Sequence, residues 1–398
     1  MHTVRGKVEL YFALRPCTAD LSGLNGMYIN FWYPVCLSDE LTGEQPQRVK
    51  ILGLRFVTFR DASGNAHVLA DTCVHRGGSL GKGKISNGRV ACPYHGWEFD
   101  GSGRCAHIPS LQAGRKIAAR AKVDSYPVVE RYGIVFAFLG DLAEKDRPAL
   151  YEIAEWERSG WRATGPVILE LDAYFERSIE NGLDPVHNEF VHDLQGNIRF
   201  RPDRMTVSEH DWGTEVFIRM DPPKPGTTQL EHLRNDDDPE HFGASSAHYG
   251  PNTLVTTINL SKDNTFVQYF FEQPVDESHT RIFFLNLRNC MLDESSDERL
   301  QKINLAIAAE DIAVVTELYP VRTPASKNNE LLVIGDECIS GYRNYLKKWT
   351  DAGWRIDWKT SRSKGPDTAY AIPSPGRRES GNWVLDSVPM VPGRANWT

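Results

Sequence analysis

Cys73-Val74-His75-Arg76-Gly77-Gly78 and Cys92-Pro93-Tyr94-His95-Gly96-Trp97 are two short pairs, each opening on a cysteine and placing a histidine two or three positions on. Two thiols and two imidazoles within so short a stretch make a metal donor set. A tetrahedral zinc ion would accept them, although zinc sites usually gather the cysteines in one pair and the histidines in the other. Here each pair holds one of each. That interleaving suits a two-iron cluster, in which two thiolates hold one iron and two imidazoles the other, so that each loop contributes to both. The neutral imidazoles raise the reduction potential relative to an all-thiolate cluster. Glycines beside the donors let backbone N–H groups approach cluster sulfurs. A disulfide between Cys73 and Cys92 is the remaining alternative.

Outward from this stretch the chain reads as β structure. Arg55–Arg60 and His67–Ala70, separated by Ala62-Ser63-Gly64-Asn65, predict a hairpin. Val128-Val129 and Gly133–Leu139 predict further strands, and the charged Asp141–Pro148 stretch sets a boundary near residue 145. Residues 1–27 show no clear period and are expected to pack on the second domain. A chain of 398 residues suggests two or three domains. With 40% hydrophobic and 25% charged residues it is neither disordered nor fibrous. Its net charge of −8 argues against nucleic acid and anionic membrane as partners. No apolar run approaches a membrane span and the N-terminus lacks a signal-peptide core. Seven sparse cysteines point to a reducing, cytoplasmic setting. Cys17, Cys36, Cys105, Cys290 and Cys338 read as packing thiols.

The second part mixes elements. Val167–Asp172 predicts a strand, Val267–Phe271 with Arg281–Leu285 a hairpin, and Pro222–Asn252 a long loop. Ser295 with Glu298 reads as a capping box opening a helix to about Leu318, before Pro320. Within Glu180-Asn181-Gly182-Leu183-Asp184-Pro185-Val186-His187-Asn188-Glu189-Phe190-Val191-His192, Asp184 and Pro185 suit a helix start. His187 and His192 would lie about 140° apart on an ideal helix. Both reach one ion only if the turn is widened or one histidine sits where the helix frays. Taken alone, the two histidines would be ordinary surface or capping residues.

The Cys73–Gly78 and Cys92–Trp97 stretches closely resemble the Rieske [2Fe–2S] signature, and more narrowly that of the Rieske non-haem iron oxygenases. Asn-x-x-Asp-x-x-His-x-x-x-x-His, running from Asn181 to His192, resembles the mononuclear-iron motif of the same family. The resemblance implies Cys73, His75, Cys92 and His95 on the cluster, and His187 and His192 on an Fe(II) that needs one carboxylate more. The family places that carboxylate on a late helix. In the helix from Ser295, Leu300, Ile303, Ile307, Val314 and Leu318 share a narrow sector at about 100° per residue, and Asp311 falls inside it. An aspartate there is costly unless paired or metal-bound. Glu310 and Glu317 point away. The alternative is a helix break at Asp311.

The resemblance further implies an α+β fold: an antiparallel β Rieske domain (residues 28–145) beside a helix-on-antiparallel-sheet catalytic domain (residues 146–398). It implies O₂ activation with electrons relayed through the cluster, to hydroxylate or oxidatively demethylate an aromatic or polycyclic small molecule. No nucleotide-binding glycine motif and no plant-type ferredoxin spacing occurs, so a separate reductase or ferredoxin is the expected donor. A homotrimer is implied as well. Asp184 would then hydrogen-bond the His187 imidazole and, across a subunit interface, that of His95. A Rieske electron-transfer protein with a degenerate second site is the competing reading, and a structural zinc protein a third.

Overall fold

A computed structural model describes residues 27–196, 198–221, 231–235, 237–239, 241–324 and 329–394. The expected packing of the N-terminal segment, Met27 apart, and the state of Cys17 lie outside the described residues.

An eight-stranded antiparallel sheet forms the larger half. In spatial order it runs from an interrupted edge, Arg162–Ala163 and Val167–Leu171, through Thr280–Arg288, Thr265–Pro274, Thr253–Asn259, Phe242–Tyr249 and Gly213–Met220 to Met205–His210. Both faces of its centre are buried, so its strands read as near-continuous apolar runs rather than as clean alternation. One face carries Val255, Val267, Tyr269, Phe271, Phe283 and Leu285, packed on Ile134 and Phe136 of a three-stranded sheet. That sheet orders Phe31–Leu37, Ile134–Leu139 and Val128–Arg131. The other face is covered by helices α1 (Phe175–Leu183) and α3 (Ser295–Val315), with the single turn α2 (Asn188–Val191) after α1. Helix α4 (Glu337–Asp351) packs on the Gly213–Met220 strand.

The smaller half holds the two Cys/His pairs. Strands Gln47–Ile51, Leu54–Arg60, Ala66–Ala70 and Ser125–Tyr126 form one sheet, and Lys84–Ser86, Arg89–Ala91, Glu98–Phe99 and Cys105–His107 another. The expected hairpin at 55–70 is present. Strand alternation divides its side chains: Phe56 and Val68 enter the main core, whereas Val57, Phe59 and Leu69 pack beneath Cys73 and Cys92.

Four local expectations are corrected. The Pro222–Asn252 stretch contains the strand Phe242–Tyr249, whose small and polar residues Gly243, Ser245 and Ser246 hid its period. Ser295 caps nothing: the N-cap position belongs to Glu294, without a side-chain bond. Helix α3 ends at Val315, and Val315 is buried while Val314 and Leu318 are exposed. A 3.6-residue period drifts around the axis over so many turns, so one sector cannot describe the whole helix. Asp184 ends helix α1 rather than starting a new one, because Pro185 cannot continue it.

Candidate metal centres

The two Cys/His loops have the same backbone. In the first, Cys73 N–H donates to Gly78 O and Gly77 N–H to Cys73 O, at 2.8 and 2.9 Å. In the second, Cys92 N–H donates to Trp97 O and Gly96 N–H to Cys92 O, again at 2.8 and 2.9 Å. Gly77 and Gly96 take φ of 75° and 70°, where a side chain would be strained. Both cysteines are buried and both histidines exposed, with the imidazole centroids 4.5 Å apart. His75 stacks on Trp97 at 4.6 Å. A Cβ at Gly78 would stand 2.7 Å from Cys92 Sγ, so this position must stay bare. Burial pushes the Cys73 thiol up to about 12, so a metal binding here has to displace its proton. Cys36, Cys105, Cys290 and Cys338 are buried free thiols.

The second donor set forms where α1 breaks. Asp184 Oδ1 accepts from Val186 N–H at 2.7 Å, turning the chain at Pro185. His187 then stands at the N-cap of α2 and His192 at its C-cap, where φ −97° and ψ 75° leave the helical region. The frayed end brings the two rings together that a regular helix would splay. Their Nε2 atoms lie 3.2 Å apart, and Asp311 Oδ1 lies 3.5 Å from His187 Nε2 and 3.3 Å from His192 Nε2. Ligands at right angles around an ion bound at about 2 Å are about 3 Å apart, so this triangle fits one face of such an ion.

The far side of each ring is also held. His187 Nδ1 donates to the backbone carbonyl of Asp184 at 2.5 Å, and His192 Nδ1 meets Glu310 Oε2 at 3.0 Å. With Nδ1 engaged outward, each Nε2 lone pair faces the centre of the triangle. Burial depresses His187, favouring the neutral form that a cation requires. Asp311 Oδ1 accepts from Asn181 Nδ2 at 2.9 Å. Two sequence inferences are thereby revised: His187 is anchored by the carbonyl of Asp184 and not by its carboxylate, and Glu310 reaches this site through His192. Asn181, quoted only as part of a motif, orients the carboxylate.

Asp184, His187, His192 and Asp311 line one end of a cavity of about 730 Å³ between α3 and the eight-stranded sheet. Its walls are mainly apolar, with Leu254, Ile258, Phe266, Phe270 and Phe284 from alternate strand positions. A buried apolar space with donor atoms at one end can hold an organic molecule against a metal.

Residues 31–127 match the family profile described as Rieske [2Fe-2S] domain, and residues 171–352 that described as vanillate O-demethylase oxygenase C-terminal domain. The chain is 34% identical over 274 residues to the oxygenase component of dicamba O-demethylase from Stenotrophomonas maltophilia, covering 67% of this chain and 79% of that protein. It is 36% identical over 168 residues to 4β-methylsterol monooxygenase of Methylococcus capsulatus, covering 42% of this chain and 45% of that protein. The chain thus spans about half the length of several curated relatives it matches. Among solved structures, dicamba monooxygenase bound to dicamba superposes with a TM-score of 0.68 at 21% identity, over 82% of this chain and 98% of that one. Pseudomonas putida NdmA with caffeine gives 0.66 at 26%, over 84% and 92%.

Proposed function

The chain belongs to the Rieske non-haem iron oxygenases, and from that premise we propose that it hydroxylates or oxidatively demethylates an organic small molecule, drawing electrons from a separate reductase or ferredoxin. Its cofactors are a [2Fe–2S] cluster and a mononuclear non-haem Fe(II). Cys73, Cys92, His75 and His95 hold the first, and His187, His192 and Asp311 the second. Bound there, the cluster would supply an electron store and the Fe(II) a site for O₂ activation. The protein's own part is to gather the three donors His187, His192 and Asp311, which would hold the ion, at the wall of the cavity. Asn181 fixes which oxygen of Asp311 points inward, and Glu310 and the Asp184 carbonyl fix the rings.

The observation that carries this reading is the triangle of His187 Nε2, His192 Nε2 and Asp311 Oδ1 at one end of a substrate-sized apolar cavity. A pure electron carrier has no use for it. The test is metal analysis with visible spectroscopy on the purified chain. Asp311→Ala should lose the mononuclear iron while keeping cluster colour, and Cys92→Ser should bleach the protein. Retention of that iron in Asp311→Ala would overturn the assignment.

The working assembly is a homotrimer in the cytoplasm. Supporting it, Phe190, between His187 and His192 in the chain, is 74% exposed, and Tyr94 is 57% exposed beside His95. Such apolar surface is what a neighbouring copy covers. Asp184 is then the link between the two metal centres of adjacent copies. Asp184→Asn, which still accepts from Val186 N–H, should keep both centres and slow electron transfer. Transfer at the wild-type rate would dismiss the link, as would full activity in a demonstrated monomer.

A further inference from the structure

Across the floor of the cavity the apolar pattern is interrupted once, and the interruption is in register. Ser246 is paired with Thr256, Thr256 with Gln268, and Gln268 with Asn286 on four adjacent strands. Register partners on antiparallel strands face the same way, so the four side chains form a row perpendicular to the strands. Within the cavity lining the rows on either side are apolar: Leu254, Phe270 and Phe284 toward one end, and Ala244, Ile258 and Phe266 toward the other, the rows continuing outside the lining to His248 and to Arg288, which Asp297 pairs. From the opposite wall Asn304 of α3 reaches this row, its Oδ1 accepting from Gln268 Nε2 at 3.3 Å.

This belt is incompletely satisfied. Asn304 Nδ2 is buried without a hydrogen-bond partner. A buried amide left unpaired costs about 1–3 kcal/mol, which a ligand group of matching chemistry recovers. Whichever way the amides are turned, the Gln268–Asn304 pair, both of whose residues line the cavity, is left with one donor and one acceptor not used within the pair. The charge pattern narrows the ligand further. Among the described residues lining the cavity, charge occurs at the metal end and on Glu298, Arg299 and Lys302 in the first turns of α3, but not at the belt. Distance gives a ruler, since Asn304 and Asp311 lie two turns apart on α3, about 10 Å along its axis.

We propose that the Ser246–Thr256–Gln268–Asn304 belt is the specificity site of the cavity, selecting an uncharged, elongated, mostly apolar substrate whose carbonyl or carboxamide group lies about 10 Å from the carbon that is oxidised. An ionised carboxylate is rejected, because no cation meets it at the belt and its desolvation goes uncompensated. The inference rests on the oxygenase reading only for which end of the molecule is oxidised. Binding to the belt is measured without turnover.

Three rigid probes test it by calorimetry on the anaerobic holoprotein: 4'-methoxybiphenyl-4-carboxamide, the corresponding carboxylate, and 4-methoxybiphenyl. The carboxamide should bind about tenfold more tightly than either of the others, the effect of one recovered hydrogen bond. In Asn304→Leu that advantage should vanish, with 4-methoxybiphenyl binding and iron content unchanged. Gln268→Met serves as the second variant should Asn304→Leu fold poorly. Equal or tighter binding of the carboxylate would overturn the proposal. So would an undiminished carboxamide advantage in both variants, or no binding of any probe. If the belt behaves as described but no probe is oxidised when a reductase and O₂ are supplied, the assignment of the oxidised end fails and the specificity site stands.

Discussion

Glu310 and Asp311 are neighbours in the chain with different tasks. Asp311 completes the donor triangle, whereas Glu310 accepts from His192 Nδ1 and from Leu194 N–H. Removing the outer acceptor leaves three donors with one ring free to turn, and changes of that kind typically cost 10–100-fold in metal affinity. Glu310→Ala should therefore still bind the mononuclear iron and lose it to a chelator at about 10–100-fold lower concentration. Complete loss of iron on preparation would mean Glu310 is itself a ligand. At this scale the sequence was legible where chemistry leaves a spacing, as with Cys73, His75, Cys92, His95, His187 and His192. It did not give the roles of Asn181 and Glu310, which follow from a meeting of α1, α2 and α3 that no local pattern encodes. Helical phase singled out Asp311, which the structure brings beside His187 and His192, and set Glu310 aside, because a glutamate side chain can reach around the helix that its Cα faces away from.

At the level of elements, α3 is tied to the sheet by an acid in its first turn. Asp297 accepts from Arg162 at 2.6 Å and from Arg288 at 2.5 Å, and Arg288 has no exposed surface. Asp297→Ala would leave a fully buried guanidinium without its counter-ion, a loss of about 3–5 kcal/mol. Denaturant unfolding of the holoprotein should show that drop, while the cluster spectrum before the transition stays as in the wild type. A change below about 1 kcal/mol would show that the pair is solvated and the helix held elsewhere. The strands of the hairpins were readable from β-rich runs between turn residues, such as Val267–Phe271 with Arg281–Leu285. Phe242–Tyr249 was not, because a strand made of Gly, Ala, Ser and His has no amphipathic signature until its neighbours supply one. The break at Asp184 was visible as a cap and proline, but whether they open or close a helix depends on α1 packing against the sheet.

For the whole molecule, burial of acids sets the response to pH. Glu272, fully buried on the Thr265–Pro274 strand, is pushed up to about 8 by desolvation, which Ser178 offsets only in part. Glu176 is raised to about 7, mainly by burial and then by Glu180. Below the usual 4.5 these acids are protonated in both folded and unfolded chains, and their contribution is full. As pH rises from there toward 8, the unfolded chain ionises first and stability is lost. His248, depressed to about 3 by desolvation, acts on the other side and removes stability as pH falls below 6.5. Melting temperature against pH should therefore decline from about 6.5 to 8, and Glu272→Gln should flatten that decline. An unchanged slope in the variant would show that Glu272 does not govern it.

The strand alternation that sends Phe56 and Val68 into the main core and Val57, Phe59 and Leu69 beneath the cluster cysteines has a kinetic corollary. One sheet serves as wall to both compartments, and interiors packed to crystal density do not slide past each other freely. The cluster lobe thus has no swivel. Its separation from the His187, His192 and Asp311 site of the same chain is fixed and not gated. The rate of cluster-to-iron electron transfer in single turnover should accordingly be indifferent to glycerol, whereas a swinging carrier would slow in proportion to solvent viscosity.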